Sequence, residues 1–436
     1  MLFRKKQVRL AQRLSESAPT QGYWSIIRTH FRKNRLAIWS LRALYFLLFV
    51  AIFADFLAND QPILCKIESK WQTPILRQYA IDWGFSDYSR DFRAREWLDV
   101  SQYDFYIFPP IPYAPDYQDR KNRNLVGPFA IQDVESGRFR HWLGTDKLGR
   151  DTAAGLIGGT RIAMLVGIVA MSIAGFIGIF LGGLAGYFGD EQLRISIVQL
   201  LLLIVGFFIA FFYAFISRSY HLQEAGDHLV REIFLSLLIF AVILLAFASL
   251  GGLLSKISIL EKSITFPADI VVMRLIEIFN SVPALLLILA SVAIIKKPSI
   301  LYIMLILGLL SWTGIARFIR AELLRIRQLE YIQAARALGF KEAYTFLRHA
   351  IPNALSPVLI TIAFGIAGAI LAEAALSFLG IGVNPDTVSW GSMLSLARRN
   401  FDAWWLAVFP GIAIFVTVTI FNLIGDGLTE ALSAQS

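Results

Sequence analysis

Apolar runs of about 20 residues, the length at which a helix crosses a hydrocarbon core, alternate with polar stretches along most of this chain. They fall at Leu36 to Leu57, Ile162 to Leu184, Ile195 to Ile216, Ile233 to Leu254, Ile278 to Ile295, Ile300 to Ile315, Leu355 to Leu376 and Trp404 to Ile424. The pattern predicts an all-α polytopic membrane protein with about eight transmembrane helices. Residues 1–35 form a polar leading segment, and 36–57 read as transmembrane helix 1, too long and too late in the chain for a cleaved signal peptide. Residues 58–152 are polar and aromatic, with Pro109, Pro110, Pro112 and Pro115, and are expected to make a long extracytoplasmic segment.

Glycine recurs in the second run at Gly167, Gly175, Gly178, Gly182, Gly183 and Gly186. Small residues let helix backbones approach closely in lipid, so this helix is expected inside the bundle; the competing reading is a helix that merely tolerates glycine. Leu200 to Val205 and Phe211-Phe212 instead put bulky groups on every side, which predicts a lipid-facing hairpin with its tip at Ser217 to Glu232, where His221 and His228 are solvated. An acid inside a span marks either a solute or ion path or a structural hydrogen bond. Only Glu373 sits well within a run, and both roles are open to it. Arg161 and Asp426 lie at run ends, where solvation is the expected state, and Arg42 is expected to reach the headgroups.

Composition agrees with membrane residence: 56% of the 436 residues are hydrophobic and 17% charged, against roughly 25% charged in soluble chains. Lys+Arg outnumber Asp+Glu by 41 to 32, and repeated apolar spans turn that excess toward membrane orientation rather than nucleic acid. The first 35 residues carry many Arg and Lys and one acid, Glu16, which places them in the cytoplasm. An even number of spans returns the C-terminus there, together with the basic stretch Arg317 to Arg348; Lys296 and Lys297 would break the rule in a short external turn. The single Cys65 excludes an intrachain disulfide framework. No Gly-Lys dipeptide exists to build a phosphate loop, the five histidines lack metal-ligand spacing, and no Gly-x-Ser-x-Gly elbow appears. No nucleotide, metal or catalytic site is therefore expected in this chain.

Glu330 to Phe340, with Lys341 to Ala350 and Ile351-Pro352-Asn353 behind it, reads as a short Ala-rich helix, a glycine suited to a left-handed cap, and a second helix halted by proline. Ala334, Ala335 and Ala337 leave a slim helix that a partner's groove could admit, and Tyr331, Leu338 and Phe340 have pockets to fill there. An ordinary amphipathic cytoplasmic loop fits the same pattern.

With Ala334, Ala335 and Gly339 in register, and Gln333 where glutamate is usual, this stretch resembles the coupling-helix loop of bacterial ABC-transporter permeases. His349-Ala350-Ile351-Pro352-Asn353 is similar to the oligopeptide and dipeptide (nickel) branch. So are His141-Trp142-Leu143-Gly144-Thr145-Asp146-Lys147-Leu148-Gly149-Arg150-Asp151, Leu371 to Gly380, Ser389-Trp390-Gly391 and Asn422 to Leu428. Within that branch the likeness is to the second permease subunit type.

The resemblance implies a type I ABC importer permease domain over 153–436, with a six-helix core, an inserted helical hairpin at about 191–266 and a cytoplasmic coupling loop at 316–353. It implies ATPase coupling through Tyr331, Gln333, Ala334, Ala335, Leu338, Gly339 and Phe340. It also implies an external signature of His141, Leu143, Gly144, Thr145, Asp146, Gly149, Arg150 and Asp151, and it leaves Glu373 with Ser377 as candidates for the translocation path. The implied partners are a second homologous permease, two cytoplasmic ATPase subunits that carry the ATP and Mg, an extracytoplasmic solute-binding protein and the bilayer of the bacterial cytoplasmic membrane. Trp97-Leu98-Asp99-Val100 and Phe108 to Tyr113 resemble a subgroup with larger peptide-like cargo. The rival is an ion-coupled secondary transporter, which usually shows inverted repeats; the Gln333 to Pro352 pattern has no second copy. A membrane-embedded enzyme would need clustered polar residues within the spans.

Overall fold

The computed structural model describes residues 28–87, 92, 95–224, 229–257, 262–294, 299–381 and 387–433. The basic residues before Arg28, as well as His228, Lys296 and Lys297, lie outside the described residues. Helix α1 (Arg35–Ile52) starts where the Asn34 side chain accepts the Ala37 N–H, and a short α2 (Ala54–Leu57) follows it. Strands β1 (Leu64–Ile67) and β2 (Lys70–Gln72), helix α3 (Pro74–Asp82) and strand β3 (Phe105–Ile107) then build a small antiparallel sheet ordered β2-β1-β3. Cys65 is a buried free thiol on β1.

Helix α4 (Thr152–Gly183) begins well before its apolar run, because Asp151 caps it by accepting the Ala154 N–H, and it widens into a π-helical turn over Leu184–Phe188. Strands β4 (Arg194–Ser196) and β5 (Ser263–Thr265) pair across the base of a helical hairpin made of α5 (Ile197–Phe211), α6 (Ser219–Glu224) and α7 (Leu229–Leu254). Gly206 lies on Phe247 and Gly251 on Gln199, so small residues face inward while Phe208, Phe234 and Leu245 stay exposed. Arg218 Nη2 sits 2.5 Å from Glu232 Oε2 near the tip.

The run Ile278 to Ile295 is not one straight helix. It belongs to α8 (Ala268–Ser281) and α9 (Ala284–Ile294), which meet at 76°. Val282 is extended (φ −105°, ψ 131°) because the ring of Pro283 disfavours helical geometry in the residue before it. After α10 (Ile300–Ile326) come α11 (Glu330–Ala337), α12 (Glu342–Thr345), a π-helical turn over Phe346–Ala350, α13 (Ile351–Phe378), α14 (Trp390–Arg399) and α15 (Trp405–Ser433). Pro352 halts nothing here. It occupies the first turn of α13, where a proline is tolerated, and the chain stays helical from Glu342 to Phe378. Among the described residues seven helices are long and apolar enough to cross a membrane, or eight if the bent pair is one span; the fold is the expected all-α polytopic one.

Helix α4 lies at the centre, along α10. A Cβ on Gly182 would stand 2.4 Å from the Ala316 carbonyl oxygen, and one on Gly186 2.6 Å from that of Arg320. Gly178, Gly182 and Gly186 are therefore required by backbone contact, whereas Gly175 meets only the Ile362 side chain at 3.6 Å. Of the two charges expected at span ends, Asp426 is exposed and Arg161 is paired. Arg161 is not left to solvent: it holds both oxygens of Asp55 at 2.9 Å and donates to the Ala51 carbonyl, tying α4 to α1 and α2. Arg320 pairs with Asp269, joining α10 to α8.

Candidate coupling surface and the signature at the far end of α4

Helix α11 owes its position to two inward residues, Ile332 and Ala335, which are 0% and 8% exposed. Its far side carries Tyr331, Gln333, Ala334 and Ala337 to the outside, and beyond its end Leu338 is 76% and Phe340 49% exposed. Gly339 takes φ +78°, its N–H reaches the Arg336 carbonyl at 2.9 Å, and the Phe340 N–H reaches that of Ala335 at 3.2 Å. This is a full Schellman closure, which only a residue at ease in the left-handed region forms cheaply. Asn353 Nδ2 donates to the Tyr331 hydroxyl at 3.0 Å, so the start of α13 braces the start of α11. Ala335 departs from the expected contact set: it packs against the chain itself, and Ala334 and Ala337 are the small residues that face outward.

At the opposite end of α4 the 141–151 block turns its polar groups inward. His141 is fully buried, with Nδ1 2.8 Å from Asp151 Oδ2 and Nε2 3.1 Å from Asp119 Oδ2, and Tyr113 stacks on its ring at 4.2 Å between centroids. Burial opposes charge on the imidazole, but the two carboxylates outweigh it and raise its pKa above the ordinary value. Burial would likewise raise Asp119, yet hydrogen bonds from His141, Asn122 and the Lys121 N–H bring it down to about 2. Asp146 accepts the Leu148 and Arg150 N–H groups at 2.8 and 2.9 Å and faces Arg150 Nε at 2.6 Å. Thr145 donates to the Asn122 carbonyl, and its own carbonyl receives the Trp405 indole N–H. Gly144 and Gly149 lie at φ +80° and +85°, and Leu143 is half-buried. The block is a closed knot whose hydrogen bonds are made within the protein, to its own residues and to Asp119, Asn122, Gln132 and Trp405.

Residues 248–435 match the family described as binding-protein-dependent transport system inner membrane component, and residues 22–72 match the N-terminal transmembrane domain of oligopeptide transport permease C. The chain belongs to the oligopeptide and dipeptide branch of ABC-importer permeases. It is 26% identical to the peptidoglycan transport system permease protein YejE of Agrobacterium fabrum, over 96% of this chain and 94% of that one. The inner membrane ABC transporter permease protein YejE of Escherichia coli is 24% identical, over 95% and 97%. The dipeptide transport system permease protein DppC of Alkalihalophilus pseudofirmus is 28% identical, over 76% and 81%. The protein is thus the membrane-spanning permease subunit of an importer, and the secondary-transporter reading falls. Permeases of this family work with ATPase and binding-protein partners.

In the permease, Glu373 and Ser377 line no open path. They are 2% and 4% exposed, the Ser377 hydroxyl donates to Glu373 Oε1 at 2.7 Å, and Gly391 of α14 lies on the Ala374 carbonyl and the Ser377 side chain. Glu373 also hydrogen-bonds Ser389, the residue that caps α14, so the acid ties α14 to α13. Sequence reasoning missed Asp119, the second carboxylate on His141, and it missed Asp190. Asp190 Oδ1 accepts the Asp269 and Ile270 N–H groups at 3.0 and 3.1 Å, capping α8 from 79 and 80 positions away. No local period could have signalled either pairing.

Proposed function

We propose that this permease forms half of a translocation path with a second homologous permease, and that two cytoplasmic ATPases, which bind the ATP and Mg, receive the surface from Tyr331 to Phe340. An extracytoplasmic binding protein delivers a peptide-like solute, a cargo class supported by the dipeptide and peptidoglycan systems in which the relatives are named. Residues 58–152 face outward, both termini face the cytoplasm, and the hairpin at about 191–266 is an addition to a six-span core.

The observation that carries this reading is the two-sidedness of α11. Ile332 and Ala335 seat it against the bundle, so a push on its outer face moves the bundle, and the exposed Tyr331, Leu338 and Phe340 give a partner apolar groups to grip. Large side chains at the centre of an interface carry most of its energy. Leu338→Asp combined with Phe340→Asp is expected to lower ATPase recovery at least about ten-fold in a mild-detergent pull-down from the native host, with the permease still accumulating in the membrane. Undiminished recovery of both ATPases would end the proposal.

A further inference from the structure

The outer face of α11 explains how a partner holds on, but not how its movement enters the spans. One side chain stands at that junction. Tyr187 is 0% exposed and sits in the π-helical turn that ends α4. Its hydroxyl donates to Glu342 Oε2 at 2.8 Å, and the Arg336 guanidinium of α11 lies over its ring, 5.4 Å from the centroid. Arg336 Nε is itself 3.0 Å from Glu342 Oε1. Phe346, in the π-helical turn Phe346–Ala350, packs on Tyr187 at 5.0 Å and on Phe188 at 5.3 Å between centroids. The π-helical turns at Leu184–Phe188 and Phe346–Ala350 therefore meet at one aromatic cluster, and α11 reaches that cluster through Arg336.

We infer that Tyr187, held between Arg336 and Glu342, is the positioning residue through which displacement of α11 reaches α4. A π-turn carries an extra residue in its ring and marks a place where a helix changes course at functional sites. Gly182 and Gly186 are locked onto the α10 backbone, so up to Gly186 the chain of α4 moves with α10 and the adjustable stretch begins at Tyr187. A cavity of about 470 Å³ lined by Asp190, Arg327, Gln333 and Arg336 separates α11 from the end of α4 and leaves α11 room to travel. The guanidinium touches both the ring and the carboxylate, so α11 cannot shift without shifting one of them. This inference rests on the reading that α11 receives the ATPases.

The test is hydrogen exchange on the purified complex with its own ATPases, without nucleotide and with ATP and vanadate, for the wild type, Tyr187→Phe, Glu342→Gln and the double variant. In the wild type, nucleotide is expected to change exchange both in the 330–340 peptide and in the 184–190 peptide. In Tyr187→Phe and in Glu342→Gln the first change persists, while the second shrinks at least about five-fold. One variant removes the hydroxyl and the other the charge that pairs with Arg336, and the double variant matches either single one because both break the same Arg336–Glu342–Tyr187 link. Glu342→Gln keeps shape at a partly exposed site and serves if Tyr187→Phe fails to accumulate. A 184–190 response that survives in the variants, that is absent from the wild type, or that falls additively in the double variant overturns the inference. A 330–340 peptide indifferent to nucleotide while the ATPases are bound overturns the docking reading instead.

Discussion

Gly149 and Gly339 hold the same left-handed conformation, at φ +85° and +78°, near opposite ends of α4, and their surroundings could hardly differ more. A Cβ on Gly149 would stand 2.1 Å from the Asp119 carbonyl oxygen, whereas one on Gly339 would meet nothing within 4 Å. The first glycine belongs to a block whose polar groups are spent on partners within the protein. The second ends a helix whose outer face is left open. Two stretches that resemble family signatures therefore do different physical work: residues 141–151 hold a shape, and residues 330–340 offer one. A motif quoted from a sequence does not by itself say which of the two it is.

The largest separation between the two is expected from a single methyl group. Gly149→Ala combines left-handed strain of roughly 1–2 kcal/mol with overlap on a backbone that cannot yield, an overpacking cost of about 1–3 kcal/mol. Gly339→Ala incurs only the first. In thermal unfolding of the detergent-solubilised complex, Gly149→Ala should release the 58–151 segment to protease well below the wild-type temperature. Gly339→Ala should leave that segment intact and weaken ATPase recovery a few-fold. Equal behaviour of the two variants would dissolve the distinction.

A second pair sharpens the coupling side. Ala335→Asp places a carboxylate in the seat of α11, leaving a buried polar group without a partner at a cost of about 1–3 kcal/mol, so ATPase recovery should fall about ten-fold and protease should gain access at Arg336. Ala334→Asp, one position away on the open face, should weaken recovery with the cleavage pattern unchanged. If Ala335→Asp leaves the cleavage pattern as it was, Ala335 does not seat the helix.

How much of this was legible beforehand follows from the range of each interaction. The spans and the Ala-Gly helix announce themselves because a run of about 20 apolar residues and a capped turn are local facts. The two prolines show where locality ends. Pro283 follows a break between two helices, whereas Pro352 sits in a chain that stays helical from Glu342 to Phe378, just after a π-helical turn whose Phe346 packs on Tyr187 from a distant helix. Arg161 with Asp55 spans 106 residues, Tyr187 with Glu342 spans 155, and His141 with Asp119 spans 22. No local spacing joins these partners, and Ala335, expected as a contact residue, is covered by the bundle.

The smallest effect, and the one most specific to the closed block, is its response to pH. The contacts of His141 with Asp119 and Asp151 are strongest with the imidazole charged, and its folded pKa is raised. Their stabilisation is fully present below the ordinary imidazole value of about 6.5 and is lost as pH rises through the higher folded value. Asp119 works in the other direction: held down to about 2 from 3.8, it contributes above its unfolded value, and that contribution disappears as pH falls toward 2. Protease resistance of the 58–151 segment should therefore be flat from about pH 4 to about pH 6.5 and decline on the alkaline side. In His141→Asn, where a neutral amide replaces the titrating ring, the alkaline decline should vanish and resistance should sit at the lower level throughout. The coupling surface has no such buried pair, and ATPase recovery across the same pH range should not follow the curve; if it does, the two ends of α4 are not independent.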